Sequence, residues 1–177
     1  MPNREEFPTM HHPIRVLFLC TGNSARSQMA EALLRTYGGT DFEVASAGTD
    51  PKGLNPLTIE VMAEAGIDVS KQQSKSLDRF LGQSFDYVIT VCDRARDNCP
   101  TFPGDNERIH WGFDDPAAAT GSRAQQLAVF RRVRNEISER LRLWVAVQRK
   151  QLSEKNSRGF DALGKKAASE AINRALV

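Results

Sequence analysis

The sequence lacks the features of membrane-spanning, secreted and nucleic-acid-binding proteins. It has only three cysteines in 177 residues, and an odd number does not suit a secreted disulfide framework. No apolar run approaches the roughly 18 residues of a membrane span, and residues 1–13, MPNREEFPTMHHP, lack the apolar core of a secretory signal. The net charge of +2 is too small to indicate nucleic-acid binding. We therefore expect a soluble, cytoplasmic protein with no membrane or nucleic-acid partner.

The composition and length indicate one globular domain with a polar N-terminal arm and a C-terminal extension of different composition. Hydrophobic residues make up 40% and charged residues 26% of the chain, as in globular rather than disordered proteins. We divide the sequence into a loose arm at 1–13, a main domain at 14–150 and an extension at 151–177. Within the extension, 151–160 has the composition of a loop, whereas 161–177 carries apolar residues at helical spacing and forms either an accessory helix or a mobile tail.

Short apolar strands alternate with amphipathic helices along the main domain. Strands are predicted at 14–20, 42–48, 85–91 and 108–111, and helices at 26–38, 56–65, 76–82 and 124–150. This alternation predicts an α/β fold, a single-domain, open, twisted four-stranded parallel sheet flanked by helices. Ligands of such sheets bind outside the carboxyl ends of the strands, which is where Cys20 and Cys92 both fall.

The loop between the first strand and the first helix predicts an anion site beside a nucleophile. Free backbone N–H groups at a helix N-terminus, together with the helix dipole, bind negative charge. The predicted oxyanion-binding residues are Thr21, Gly22, Asn23, Ser24, Ala25, Arg26 and Ser27. Arg26 offers a fork of donors to two anion oxygens, and Asn23 tolerates a left-handed conformation. The same field should lower the pKa of Cys20 below the roughly 8.5 of a free thiol. The alternative is an inert buried cysteine near an unrelated arginine.

Several motifs resemble one known family. The segment CTGNSARSQMAEALLR, residues 20–35, resembles the signature of the low-molecular-weight tyrosine phosphatase fold in the form found in arsenate reductases. SAGTDPKGLNP and WGFDDP follow in the family's order and spacing, and the resemblance covers about residues 14–148. It implies that 14–150 is an arsenate reductase-like or phosphatase-like catalytic domain.

A second pair of cysteines, Cys92 and Cys99, flanks the polar segment DRARDN. Incidental surface thiols are one alternative; a zinc site would need four ligands that the segment lacks, so we predict no metal. If the segment begins as helix, the cysteines lie roughly 10 Å apart at about 1.5 Å per residue, whereas a disulfide needs Cα atoms within about 7 Å. A disulfide would therefore require the segment to unwind, and Pro100 stops helix propagation. This C-x6-C spacing resembles that of the thioredoxin-coupled arsenate reductases.

An acidic pair follows the fourth strand, at the carboxyl-end face expected for Cys20. A carboxyl group near an anion and a thiolate keeps its proton more readily because like charges repel, and it could then protonate a leaving group. Asp-Asp-Pro is also an ordinary turn sequence. The resemblance assigns the general acid to Asp115, immediately before Pro116, and leaves Asp114 as the weaker candidate.

The resemblance implies reduction of arsenate to arsenite by a three-cysteine relay. Cys20 attacks arsenate, Asp115 protonates the departing hydroxide, and Cys92 attacks the Cys20–arsenic adduct to release arsenite. Cys99 then attacks Cys92, and thioredoxin reduces the Cys92–Cys99 disulfide with electrons from NADPH through thioredoxin reductase. No cofactor is bound in this scheme, and we expect a monomer.

Three alternatives to this function remain at the level of sequence. A low-molecular-weight protein tyrosine phosphatase could use the same loop, but such enzymes generally follow the acid and proline with tyrosines, and this chain has DPAAA. A non-enzymatic anion or redox sensor would not need Asp115. A glutathione- or mycothiol-dependent reductase need not keep both Cys92 and Cys99, so their presence favours thioredoxin.

One departure from the family concerns potassium. Some relatives bind this ion through residues that match Asn23, Glu31 and Ser46, together with an aspartate where this chain has Lys75. We expect the Lys75 ammonium group beside Glu31 to replace the cation, so that potassium has little effect on activity.

Overall fold

The structure, a computed structural model, describes residues 12–175, with side chains described for residues 12–155. The strands are β1 (Ile14–Cys20), β2 (Phe42–Gly48), β3 (Tyr87–Thr90) and β4 (Glu107–His110). The helices are α1 (Arg26–Gly38), α2 (Pro56–Glu64), α3 (Asp93–Asp97) and α4 (Arg123–Ala175), and short 3-10 turns span Gly39–Asp41, Leu77–Phe80 and Pro116–Ala118. The arm predicted at 1–13 lies almost entirely outside the described residues.

The four strands form one parallel sheet in the order β2-β1-β3-β4. This confirms the predicted α/β fold with an open four-stranded parallel sheet flanked by helices. Cys20 and Gly48 are register partners at the carboxyl ends of β1 and β2, and Cys92 follows shortly after β3. The sheet therefore brings two of the three cysteines to one edge.

β1 lies between two strands and is covered on both faces, which explains its nearly unbroken apolar sequence. Its residues Val16, Leu17, Phe18 and Leu19 are at most 1% exposed. Fully buried side chains that complete the core come from α1 and α4: Met29, Leu33, Leu34, Phe130, Val133, Ile137 and Leu141. Burial of each such side chain is worth about 1.5–3 kcal/mol, so the core holds β1 and the loop that follows it in place.

Two local predictions are corrected. The helix predicted at 76–82 is only a 3-10 turn, Leu77–Phe80. The loop predicted at 151–160 lies inside α4, because Gln, Leu, Glu, Lys and Arg favour helix and a single glycine within it costs only about 1 kcal/mol.

The chain divides into two compact units, Met1–Leu141 and Arg142–Val177. The functional boundaries at 13/14 and 150/151 stay a prediction. Within the described helices, none combines the length and the apolar character that crossing a membrane requires.

Candidate active site

Asn23 shapes the loop that follows β1. It is the one non-glycine residue of the described chain with a positive φ, 44°, which is the left-handed conformation predicted for it. Its buried side chain donates to the hydroxyls of Ser27 (2.9 Å) and Ser46 (2.8 Å) and accepts from the Lys75 N–H (2.7 Å). These contacts join the loop to α1, β2 and the segment before the Leu77–Phe80 turn.

Other residues that sequence reasoning missed also hold the loop. The Ser74 hydroxyl donates to the carbonyls of Gly22 (3.0 Å) and Asn23 (2.9 Å), and the buried Gln28 amide donates to the Asn23 carbonyl at 3.0 Å. A Cβ on Gly48 would lie 2.5 Å from the Thr21 carbonyl oxygen and 2.9 Å from the Asn23 nitrogen. For Gly48, its place in the motif SAGTDPKGLNP was a signal that sequence reasoning did not use.

We expect Gly48→Ala to cost about 100-fold in activity, because a displacement of about 1 Å in a reacting loop has effects of that size. The clash is with backbone atoms, which cannot rotate away. Steady-state kinetics and circular dichroism would measure activity and folding separately. Gly22→Ala is the comparison: its Cβ would meet only side-chain atoms at 3.4 Å or more, so a greater loss there than in Gly48→Ala would contradict the steric argument.

Cys20 lies at the centre of this loop and is 3% exposed. Its Sγ accepts from the Asn23 N–H at 3.0 Å and lies 2.8 Å from the Ser27 hydroxyl. Because Ser27 already accepts from the Asn23 amide, its own hydrogen is free to point at the sulfur. The pKa predicted to be lowered is instead raised: burial raises the pKa of Cys20, and the contacts with Ser27, Asn23 and Arg26 lower it by less.

This raised pKa predicts that Cys20 is mostly a thiol at neutral pH. In a Cys92→Ser, Cys99→Ser variant, the rate of alkylation by iodoacetamide should increase with pH and have its midpoint above the roughly 8.5 of a free thiol. Ser27→Ala, which removes a contact that lowers the pKa, should move the midpoint higher still. A rate already constant below about pH 8 would contradict the prediction.

Arg26 links the Cys20 loop to the acidic loop after β4. Its side chain is 12% exposed, with Nη2 3.1 Å from an oxygen of Asp115 and Nη1 donating to the Phe113 carbonyl at 3.1 Å. Asp114 faces elsewhere and pairs with Arg132 at 2.9 Å. The geometry therefore favours Asp115 over Asp114 as the acid nearest the loop.

A cavity of about 580 Å³ opens above the Cys20 loop. Its lining includes Cys20, Thr21, Gly22, Ser24, Ala25, Arg26, Lys52, Cys92, Asp93, Arg94 and Asp115, whereas Asn23 and Ser27 are fully buried and do not line it. The Cys92 sulfur is buried and lies 3.5 Å from the Thr21 hydroxyl. The cavity is thus lined by two thiols, two guanidinium groups (Arg26 and Arg94), the ammonium group of Lys52 and two carboxyl groups, those of Asp93 and Asp115.

Cys99 does not line this cavity. It is partly buried beside Pro100, and that burial raises its pKa, with Arg108 acting in the opposite direction. All three cysteines are free thiols. Among the described residues, no group of three or more histidine, cysteine and acidic side chains is arranged to hold a metal ion.

Lys75 places a cation beneath the loop. Its Nζ lies 3.2 Å from a carboxylate oxygen of Glu31. The Glu31 side chain is 2% exposed, accepts a hydrogen bond from the Ser46 hydroxyl and forms an ion pair with Arg35 at 2.6 Å. An ammonium group therefore lies beside the buried Glu31 carboxylate, as expected from the sequence. This contact supports the expectation of potassium independence.

Replacing sodium by potassium at equal ionic strength should change the steady-state rate less than about twofold, because the buried carboxylate already has its cation. Lys75→Asp removes that cation and adds a second carboxylate beside Glu31, so this variant should become potassium-dependent. Strong activation of the unmodified protein by potassium would refute the prediction.

The comparisons with known proteins agree on one family. The sequence pattern of the low molecular weight phosphotyrosine protein phosphatases matches residues 15–158. The chain is 50% identical over 127 residues to an arsenate reductase of Halalkalibacterium halodurans, covering 72% of this chain and 91% of that protein.

Two solved structures show the same fold. An arsenate reductase in the oxidised state is 34% identical with a TM-score of 0.64, covering 75% of this chain and 96% of that one. A thioredoxin-dependent arsenate reductase of Corynebacterium glutamicum is 34% identical with a TM-score of 0.60, covering 78% of this chain and 64% of that one. The chain therefore belongs to the low molecular weight phosphotyrosine protein phosphatase family.

Proposed function

We propose that this protein reduces arsenate to arsenite through Cys20, Cys92 and Cys99 and that thioredoxin regenerates it. The observation that carries the proposal is the second thiol, Cys92, which lines the same cavity as the nucleophile. Hydrolysis of a phosphate ester needs a nucleophile, an arginine and an acid, but no second sulfur. The similarity to arsenate reductases supports the same assignment.

In the first step, the thiolate form of Cys20, which is the minor form at neutral pH because burial raises the pKa of this thiol, attacks the arsenic atom of arsenate bound in the loop. Backbone N–H groups and Arg26 stabilise the negative charge on the remaining oxygens. A sulfur–arsenic bond forms, and an oxygen departs as water after it receives a proton from Asp115. The Arg26–Asp115 contact keeps this acid at the rim of the anion site.

In the second step, the Cys92 thiolate attacks the Cys20 sulfur. The electron pair of the sulfur–arsenic bond passes to arsenic, which is reduced from As(V) to As(III) and leaves as arsenite. A Cys20–Cys92 disulfide remains, so two cysteine sulfurs have supplied the two electrons. The Thr21 hydroxyl lies near the Cys92 sulfur and can donate to its thiolate.

In the third step, the Cys99 thiolate attacks Cys92 and releases Cys20 as a thiolate. The two cysteines are joined by α3, so we expect this helix to unwind when the Cys92–Cys99 disulfide closes. The dithiol of thioredoxin then reduces that disulfide, and thioredoxin reductase returns the electrons from NADPH. We place the protein in the cytoplasm, where thioredoxin keeps thiols reduced, and expect a monomer.

The decisive experiment measures arsenate-dependent NADPH oxidation with thioredoxin and thioredoxin reductase, beside phosphate release from phosphotyrosine. We expect arsenate turnover and at most weak phosphatase activity, because Ala117 and Ala118 line the cavity where a phosphatase would carry tyrosines. Efficient phosphatase activity without arsenate turnover would show that the phosphatase alternative is right. Turnover with glutathione or mycothiol, but not with thioredoxin, would refute the assigned reductant.

A further inference from the structure

His110, the last residue of β4, contacts both β3 and α3. Its Nδ1 lies 2.8 Å from the Thr90 hydroxyl, and its Nε2 lies 3.1 Å from a carboxylate oxygen of Asp93. Asp93 is the first residue of α3 and directly follows Cys92. We refer to Thr90, His110 and Asp93 as the His110 network.

The partner of Nε2 determines one proton position in this network. A carboxylate can only accept, so Nε2 of His110 donates to Asp93. The other nitrogen, Nδ1, is hydrogen-bonded to the Thr90 hydroxyl, which also lies 3.5 Å from the Ile109 carbonyl oxygen. Thr90 is 4% exposed and its carbonyl accepts from the Trp111 N–H at 2.8 Å. The imidazole ring is therefore hydrogen-bonded to the sheet through Thr90 and donates a hydrogen bond from Nε2 to Asp93 of α3.

The helix α3 has few other polar attachments to the sheet. It has five residues, and the Cys92 side chain makes no capping hydrogen bond. Arg96 pairs with Asp93 (3.3 Å) and Asp97 (3.0 Å), both within the helix. Ala95 is buried and supplies apolar packing. Among the polar side-chain contacts described for α3, only the contact between Asp93 and His110 connects the helix to the sheet.

We propose that the His110 network is a positioning device that holds α3 in its helical place and so favours the Cys92 and Cys99 thiols over their disulfide. This inference rests on the proposed function for the role of that disulfide. Asp93 is the next residue after Cys92 in the chain, so unwinding of α3 would move Asp93 away from His110. An interaction made in only one of two states shifts the equilibrium towards that state. The network thus makes the disulfide a stronger oxidant and easier for thioredoxin to reduce.

The test uses the full chain with Cys20→Ser, so that only Cys92 and Cys99 can pair, and omits arsenate. The protein is equilibrated with oxidised and reduced dithiothreitol. Two protein thiols lose two electrons and two protons to the disulfide of oxidised dithiothreitol, which becomes the dithiol as the Cys92–Cys99 bond forms. Labelling of free thiols followed by mass spectrometry measures the equilibrium constant.

Loss of the network should favour the disulfide. We expect His110→Ala and Asp93→Ala each to shift the constant about threefold towards the disulfide, the size expected for one solvent-exposed charge-assisted hydrogen bond. The double variant should add little, because both changes remove the same contact. His110→Gln keeps an N–H donor and should recover part of the effect. Asp97→Ala, the same change in the same helix, should have a smaller effect.

If His110→Ala folds poorly, Thr90→Val tests the same inference, because it removes the hydroxyl that is hydrogen-bonded to Nδ1 of His110. It should shift the constant in the same direction. An unchanged constant in Asp93→Ala and Thr90→Val, or an equal shift in Asp97→Ala, would overturn the inference and leave the proposed function intact. If the Cys20→Ser protein forms no Cys92–Cys99 disulfide at any ratio of dithiothreitol, both the inference and the thiol relay are wrong.

Discussion

Replacing Cys99 by serine should confine the protein to one arsenite per molecule. Cys92 can still complete the second step, but no thiol then frees Cys20. Cys20 and Cys92 are 3% and 6% exposed in the reduced protein, so thioredoxin should not reach a disulfide between them. We expect the steady-state rate to fall by a factor of at least about 10³, as when a covalent intermediate cannot be resolved. Rapid quenching with arsenite detection would separate this single turnover from continuous activity.

The fate of the sulfurs provides the control for this experiment. Non-reducing mass spectrometry of Cys99→Ser after arsenate should show a Cys20–Cys92 disulfide, whereas Cys92→Ser should release no arsenite. Both variants should bind phosphate as the unmodified protein does, because neither residue belongs to the Cys20 loop. Continuous turnover by Cys99→Ser at the original rate would eliminate the third step of the relay.

Arg26→Lys should lower kcat/KM by about 10²–10³, the range for loss of a donor that stabilises charge in a transition state. In the structure the Arg26 guanidinium group contacts the Phe113 carbonyl through Nη1 and Asp115 through Nη2. The same group has enough N–H donors to bind two oxygens of one anion. A lysine ammonium keeps the charge but not the fork. Arsenate kinetics and phosphate affinity would show whether catalysis falls more than binding.

Arg94→Lys is the matched control, because Arg94 lines the same cavity from α3. It makes the same change of side chain outside the Cys20 loop, and we expect a loss of less than about threefold, as for an exposed charge that is retained. A loss in Arg26→Lys no larger than that in Arg94→Lys would mean that the charge alone, and not the fork, determines activity.

The parts of the fold that sequence predicted well are those with a local physical cause. The apolar run of β1 requires a strand covered on both faces, and the loop that follows it requires a residue such as Asn23 that accepts a positive φ. Residues 151–160 show the limit of composition. Their serine, asparagine and glycine suggested a loop, but the helix-forming residues between them continue α4.

The site was harder to predict wherever the answer depended on burial. Cys20 was expected to have a lowered pKa because its loop supplies N–H groups and Arg26, and those contacts are present. Burial of the thiolate raises the pKa by more than these contacts lower it. Burial is a property of the packed molecule. The loop sequence could therefore indicate the contacts that lower the pKa of Cys20, but not whether burial raises it by more.

The sequence by itself determined the strand-loop-helix unit around Cys20 and the alternation of strands and helices that makes the sheet parallel, because each depends on residues close together in the chain. The roles of the three sulfurs and of Asp115 stay predictions. The tertiary structure decided which groups meet: Lys75 with Glu31 across 44 residues, Lys75 with Asn23 across 52, and His110 with both Thr90 and Asp93. Such contacts have no local periodicity or motif. They form because parallel strands bring the ends of distant segments to one edge of the sheet.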